Sequence, residues 1–443
     1  MWAALAGSAL LFFASYGLGE FWPLAWIAPS PVWIYCWRER KHSWISGAAY
    51  LLGSLNLAAY YLDVLPLPIA AVALVFPALL FWGLTKLATR CTERSGWIAG
   101  VFAFPAFWTA IEWIRTQTSE HGAAGSLANS QTDFVAALQV VSVTGFLGLT
   151  FLLLLIPSAL ACYWITRRAL VLAAPAALLS TVLIYGAIRL GSLETSVAAV
   201  GAVASDGPNV SVESYASRVD ALAARGAKYI VLPEKFVRVN GADHDRIYRT
   251  LSDSAARNSV TVVSGLTLVE GSKLRNVAVV FGPRGETRGT YDKRHMVPGW
   301  EAEFAAGSRT LVIDNFGVAI CKDFDFPSLT AEYAEQGVAM MFAPAWDFTR
   351  DAKLHSRMAV MRSVEHGFSL VRAARQGRVT VSDAYGRILD EASTIGATEA
   401  SVVVLNAPAR AVPTLYARFG DWFGVVSCVV ALVFALRIFQ RLG

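Results

Sequence analysis

"GVAICKDFDFP", residues 317–327, places a cysteine at the end of an apolar run and surrounds it with charge. Lys322, Asp323 and Asp325 follow Cys321 closely, and Pro327 closes the stretch. The apolar run reads as a buried strand. A strand end is where an α/β fold exposes side chains to a cleft. A cysteine at that place is either a small buried hydrophobe or a reactive thiol.

Working outward, the chain of 443 residues is 55% hydrophobic and only 16% charged, with a net charge of +5. Its mean hydropathy is +0.47. A soluble domain carries roughly a quarter charged residues, so the composition predicts a membrane protein. The apolar excess is uneven. Residues 1 to about 190 are almost continuously apolar, 194 to about 412 read as a soluble domain, and a last apolar run covers 421–438. The first part divides into segments at 3–19, 21–37, 44–62, 65–88, 97–116, 138–165 and 169–189. With the last run these predict eight transmembrane helices, each about long enough to cross a bilayer. Gly145 and Gly148 are expected to break the sixth segment after a short interfacial piece at 134–143. The start of the chain lacks a basic region and reads as a first span, not as a cleavable signal. The expected organisation is 1–192 for seven spans, 193–412 for a catalytic domain, and 413–443 for the eighth span and a tail.

Charge in the short loops sets orientation. Arg38, Arg40, Lys41, Lys86, Arg90, Arg94, Arg167, Arg168, Arg437 and Arg441 all fall on one side, and the opposite loops hold little beyond Arg115. The N-terminus is therefore expected in the cytoplasm and the 193–412 domain outside it. This bias accounts for the net charge. No Lys/Arg stripe interleaved with aromatics is present, so nucleic acid is not an expected partner. Of five cysteines, Cys36, Cys162 and Cys428 fall in spans, Cys91 in a loop, and Cys321 alone in the outer domain, where disulfide pairs are common. His244, His295, His355 and His366 lack the H-x-x-x-H type of ligand spacing, so neither a metal nor a cofactor is expected.

The outer domain alternates strands and helices and predicts an α/β layer structure. Three positions stand out at strand ends: Glu234 closes "YIVLPE", Lys293 lies in "TYDKRHMVP", and Cys321 closes "GVAIC". Alone, Glu234 reads as a solvated strand end and Lys293 as a surface charge. Together they are a set for acyl chemistry. A thiol is mostly protonated at neutral pH and needs a base. A carboxylate supplies the base, and a lysine holds the oxyanion formed after attack.

That ordered set resembles the nitrilase, or carbon–nitrogen hydrolase, superfamily. With eight spans around it, the whole chain resembles the apolipoprotein N-acyltransferase family. "LPE" matches the segment with the catalytic Glu, here Glu234. "YDKRHMVPGWE" implies Lys293 as the triad lysine and Glu301 as a second acidic residue. "ICKDFDFP" implies Cys321 as the nucleophile, and "SLANSQ" with the following span is similar to the family's periplasmic loop and sixth span. The resemblance implies a nitrilase-like αββα sandwich outside a bacterial inner membrane. It also implies transfer of a fatty acyl chain from a phospholipid, through a Cys321 thioester, to the α-amine of a diacylglyceryl-cysteine lipoprotein.

The chain departs from the family where Lys322 and Asp323 replace an aromatic residue and Glu. The 206–219 stretch lacks a Trp, and "AARQG" replaces an Asn-Thr-Gly stretch. These departures leave room for another amine acceptor, or for water in a membrane-tethered amidase or deacylase. A transporter or sensor is disfavoured, since Glu112 is almost alone as an ionisable residue within the spans. Asp323 and Asp325 are expected to hold the turn and cap the next helix. Lys322 is open to three readings: stabilising the thiolate, facing a lipid headgroup, or standing in solvent.

Overall fold

The computed structural model describes residues 1–192, 196–206 and 210–439. It divides into two compact units. One comprises Met1–Ser119, Gly125–Gly191 and the chain from Phe419 onward; the other comprises Glu120–Ala124 and Ser192–Arg418.

The first unit is helical. It contains α1 (Trp2–Ser15), α2 (Ser30–Glu39), α3 (Trp44–Gly53), α4 (Ala58–Val64), α5 (Leu67–Thr118), α6 (Val135–Leu138), α7 (Val141–Thr144), α8 (Phe146–Thr166) and α9 (Leu170–Leu190). Among the described residues, α5, α8 and α9 are long and apolar enough to cross a membrane. The expected second span is not one helix. Pro23 opens a 3-10 turn at Trp22–Trp26, and Pro29 and Pro31 restart the chain as the ten-residue α2. Proline has no N–H to continue a helix. The fourth and fifth spans were expected to be separated by a basic loop; within Leu67–Thr118 they are two helices that meet at a non-helical Gly96 (φ 84°, ψ 174°), and the basic residues belong to the end of the first helix. The Leu, Ala, Thr, Arg and Glu residues before Gly96 are good or tolerable helix formers, so charge alone does not end the helix. Gly145 (φ 65°) does break the sixth segment, after α6 and α7, whereas Gly148 lies inside α8.

The interior of this unit is aromatic: Trp33, Tyr50, Phe81 and Phe104 are buried, with ring centroids 4.6 to 5.0 Å apart for Trp33–Phe104, Phe81–Phe104 and Tyr50–Phe81. Leu67, Ile69, Val72, Ile184 and Ile188 point outward and are exposed. An apolar exterior is what a helix bundle in lipid presents.

The second unit holds two sheets. The first orders its strands β13-β1-β2-β4-β5-β6, with β3 paired to β4. These are β1 (Val197–Ser205), β2 (Tyr229–Val231), β3 (Val237–Val239), β4 (Thr261–Glu270), β5 (Lys273–Phe281), β6 (Thr287–Asp292) and β13 (Glu399–Pro408). The second sheet orders β12-β11-β10-β9-β8-β7. Its strands are β7 (Leu311–Ile313), β8 (Phe316–Val318), β9 (Met340–Trp346), β10 (Ser369–Arg375), β11 (Arg378–Ser382) and β12 (Ile388–Ser393).

Val200, Ala202 and Val231 from the first sheet share one buried cluster with Val318, Met340 and Leu370 from the second. The sheets therefore pack face to face. A second cluster fixes α10 (Val212–Ala224) and α11 (His244–Asn258) on the other face of the first sheet through Tyr215, Val219, Leu222, Ile247 and Leu251. α12 (Pro327–Glu335) packs on α13 (Ala352–His366), which lies against β10 and β11. The layers are αββα, as the resemblance implied. A short α14 (Leu415–Phe419) follows β13, and α15 (Trp422–Phe439) returns to the helical unit. Arg441 and the 207–209 part of the divergent first loop lie outside the described residues.

Strand direction positions the site. β2 runs parallel to β1 and β4, and β9 runs parallel to β8 and β10. Glu234 follows β2, Cys321 follows β8, and Asp347 follows β9, so all three emerge past the carboxyl ends of parallel strands.

Candidate active site

Glu234 is buried, and the chain turns sharply behind it, with Lys235 at φ 48°. The turn is possible because β4 offers Gly265: a Cβ there would lie 2.3 Å from the Pro233 carbonyl oxygen. Glu234 Oε1 accepts from Asn276 Nδ2 at 2.6 Å and from Lys293 Nζ at 2.8 Å, and Lys235 Nζ lies 3.8 Å away. Both hydrogen bonds and the nearby ammonium address the same oxygen, Oε1.

Lys293 follows β6, and its backbone N–H donates to the Asn276 carbonyl at 2.9 Å. Its ammonium is buried between Glu234 and Glu301, 2.7 Å from Glu301 Oε2. Burial works against the charge, but Glu234, Cys321 and Glu301 together outweigh it and hold the Lys293 pKa above the ordinary lysine value. Glu301 also accepts from Lys235 Nζ at 2.5 Å, Asn276 Nδ2 at 2.9 Å and the Val297 N–H at 2.9 Å. Burial pushes its carboxyl up, but Lys293 and Lys235 overcome that and bring it down to about 2. Glu301 therefore stays ionised and fixes Lys293 from the side opposite Glu234.

Cys321 opens a 3-10 turn, Cys321–Asp325, three residues after β8 ends at Val318. It adopts φ 45°, an uncommon left-handed conformation for a residue with a side chain. A nucleophile on a strained strand-to-helix turn projects its reactive atom clear of the backbone. The thiol donates to the Trp346 carbonyl at 3.5 Å. Burial raises its pKa first and the Glu234 charge raises it further, while Lys293 lowers it; the net direction is up. The resting sulfur is thus held as a thiol.

Asp323 is fully buried and locks two segments together. It accepts from the Ile320 N–H at 3.1 Å, closing the turn that bears Cys321, and from Tyr291 Oη, the Arg294 and His295 N–H groups and the His295 ring at 2.8 to 3.2 Å. Its expected role in the turn is met. The expected helix capping is not: α12 begins after Phe326 with no side-chain cap, and proline at its start removes an N–H that would need one. Lys322 does not stand in solvent. It is buried and paired with Asp325 at 3.1 Å.

The structure adds residues that the sequence did not single out. Lys235 adjoins Glu234, and Asn276 is a fully buried amide in the otherwise apolar "NVAVVF" of β5. That isolated polar residue was a readable signal. Asp347 and Arg372, which pair at 2.5 and 2.9 Å, were not readable, because only the fold brings them together. Among the described residues, no group of three or more His, Cys, Asp or Glu side chains is arranged to hold a metal.

Residues 193–405 match the carbon–nitrogen hydrolase family model, so the soluble unit is a carbon–nitrogen hydrolase domain. Residues 8–160 match the model of the apolipoprotein N-acyltransferase N-terminal domain. An apolipoprotein N-acyltransferase from Geobacter metallireducens is 26% identical over 511 aligned residues, covering 99% of this chain and 95% of that one. One from Gloeobacter violaceus is 23% identical, covering 97% and 92%. Among solved structures, an amidase from Nesterenkonia sp. aligns with 52% of this chain and 95% of its own at 20% identity, with a TM-score of 0.43. The chain belongs to the apolipoprotein N-acyltransferase family.

Proposed function

We propose that the enzyme takes a fatty acyl chain from a phospholipid, holds it as a thioester on Cys321, and delivers it to the N-terminal α-amine of a lipoprotein. Glu234 accepts the thiol proton while sulfur attacks the ester carbonyl. Lys293, held by Glu234 and Glu301, stabilises the tetrahedral oxyanion. Glu234 returns the proton to the leaving lysophospholipid oxygen, which breaks the ester bond and leaves the thioester. The amine then attacks the thioester, Glu234 accepts its proton, and the amide forms as the thiol is restored. The observation that carries this reading is the burial of Lys293 between Glu234 and Glu301, with Cys321 presented at φ 45°, in a chain whose helical half matches the acyltransferase model. In this reading the helical unit crosses the inner membrane eight times, with its N-terminus in the cytoplasm and the catalytic domain outside. Reporter fusions near residues 92 and 300 should then be active inside and outside respectively; the reverse pattern would defeat that topology.

The acceptor is tested with a diacylglyceryl lipopeptide. An α-amine has a pKa near 7.7–8.0, so a useful fraction is neutral and nucleophilic at pH 7, unlike a lysine ε-amine near 10.4. Transfer should occur to the free α-amine, stop when that amine is acetylated, and accelerate between about pH 6 and 8. Rapid release of free fatty acid with no amine present would establish a deacylase instead.

A further inference from the structure

Arg375 closes β10 with no carboxylate partner among the described residues. It stands in "AARQG", a stretch that departs from the family pattern. β9 and β10 run parallel with Trp346 in register beside Arg375, and the guanidinium carbon lies 4.3 Å from the centre of the indole. Arg375 is half-buried. Its hydrogen bond is a long one, from Nη1 to the Lys235 carbonyl at 3.5 Å, and its Nε is buried with no acceptor. Three residues earlier on the same strand, Arg372 behaves otherwise and gives both arms to Asp347. A half-buried cation without a counter-ion carries a desolvation cost that an anionic ligand offsets.

Trp346 joins this arginine to the nucleophile. Its carbonyl accepts from the Cys321 thiol at 3.5 Å, while its indole N–H donates to Gln376 Oε1 at 3.2 Å, which holds the ring. Lys235 Nζ lies 5.5 Å from the centre of the same ring; its side chain is 18% exposed and pairs with Glu301. Lys235, Trp346 and Arg375 follow or close β2, β9 and β10, so they emerge at the same strand ends as Glu234 and Cys321. We propose that Arg375, stacked on Trp346, binds the phosphate of the acyl donor and so selects a phospholipid over a neutral ester. The assignment rests on the reading of the donor as a phospholipid and of Cys321 as its acyl acceptor. A guanidinium presents paired N–H donors in one plane, which suit two oxygens of a phosphodiester, and Lys235 adds positive charge beside the same ring. In a phospholipid the phosphate and the reacting ester share one glycerol. A phosphate anchored at the Trp346 indole therefore brings the ester carbonyl towards the thiol that the Trp346 carbonyl holds.

The test compares two donors that carry the same acyl esters, dipalmitoyl phosphatidylethanolamine and dipalmitoylglycerol, in neutral detergent micelles with the full chain. Neither donor gives the micelle a net charge, so the comparison isolates the phosphate. The initial rate of acylation is read from the mass of the Cys321 peptide. The wild type should prefer the phospholipid, and Arg375→Gln should lower that preference at least about tenfold, as expected when a charge-assisted hydrogen bond is lost. Arg375→Lys, which keeps the charge without the planar fork, should fall between the two. Inorganic phosphate should raise the wild-type KM for the phospholipid and leave that for dipalmitoylglycerol unchanged. An equal loss with both donors in Arg375→Gln would mean a merely structural role and overturn the proposal. Inhibition by inorganic phosphate together with an unchanged donor preference in Arg375→Gln would assign the site to the loose anion and overturn it too. Should Arg375→Gln fail to fold, the wild-type measurements carry the test, and a wild type that acylates equally from both donors, or whose phospholipid KM ignores inorganic phosphate, would overturn it. Acylation of the wild type by neither donor would defeat the nucleophile reading and this subsite together, whereas acylation by both with an unaltered preference in the variant would defeat the subsite alone.

Discussion

On the first-sheet side of the site, Glu234 and Glu301 face Lys293 and Lys235; on the second-sheet side, Asp325, Asp347 and Asp351 face Lys322, Arg372 and His355. In the first group one buried cation, Lys293, bridges two buried carboxylates. In the second the pairs are separate, Lys322 with Asp325 and Arg372 with Asp347. Both surround the same sulfur. Loss of Lys293 would therefore strand two buried carboxylates at once, whereas loss of one cation of the second group would strand one.

The largest effects should come from breaking the first group. Cys321→Ala should abolish transfer. Glu234→Gln and Lys293→Met should each lower the rate at least about 100-fold, since a general base and an oxyanion donor each contribute on that order; a smaller loss in acyl transfer to lipopeptide would remove that residue from the chemistry. Lys293→Met should also destabilise the catalytic unit by about 3–5 kcal/mol, because it leaves two carboxylates buried without their shared cation. Thermal or denaturant unfolding of the soluble unit's signal in the full chain measures this. Glu301→Gln should act mainly through acid stability. A carboxyl held at about 2 in the folded state, against 4.5 in the unfolded chain, contributes stability above about pH 4.5 that is lost as the pH falls towards 2. The wild type should therefore lose stability across that window, and Glu301→Gln should lose less. Asn276→Leu should cost about 1–3 kcal/mol through the hydrogen bonds it withdraws from both carboxylates. An equal effect of Asn276→Leu and Lys293→Met on stability would contradict the view that the ion pair dominates this side.

The αββα sandwich follows from alternating strand and helix patterns together with the motif resemblance. Glu234, Lys293 and Cys321 stood out because each closes or follows a strand within a distinctive local segment, whereas Glu301 was named only through the resemblance of "YDKRHMVPGWE". Their partners were less so. Asn276 gave a signal as a polar interruption of an apolar strand, but Asp347 and Arg372, 25 residues apart, meet only through the parallel pairing of β9 with β10. Lys322 had three readings because nothing local says that Asp325 folds back onto it. In the helical unit, apolar length was readable and helix ends were not. Pro23, Pro29 and Pro31 cut the second segment short, whereas Arg90, Glu93 and Arg94 continue as helix until Gly96 changes the backbone. Chain breaks follow backbone chemistry, and the charges of a loop do not by themselves create one.

The central claim is that Cys321 carries the acyl chain between donor and acceptor. It is tested most directly by the mass of the Cys321 peptide after the wild-type enzyme is incubated with phospholipid and no acceptor. The account predicts a gain of one fatty acyl chain on that peptide, released by neutral hydroxylamine and lost when lipopeptide with a free α-amine is added. An unmodified Cys321 in an enzyme that still transfers acyl chains, or transfer that persists in Cys321→Ala, would contradict it.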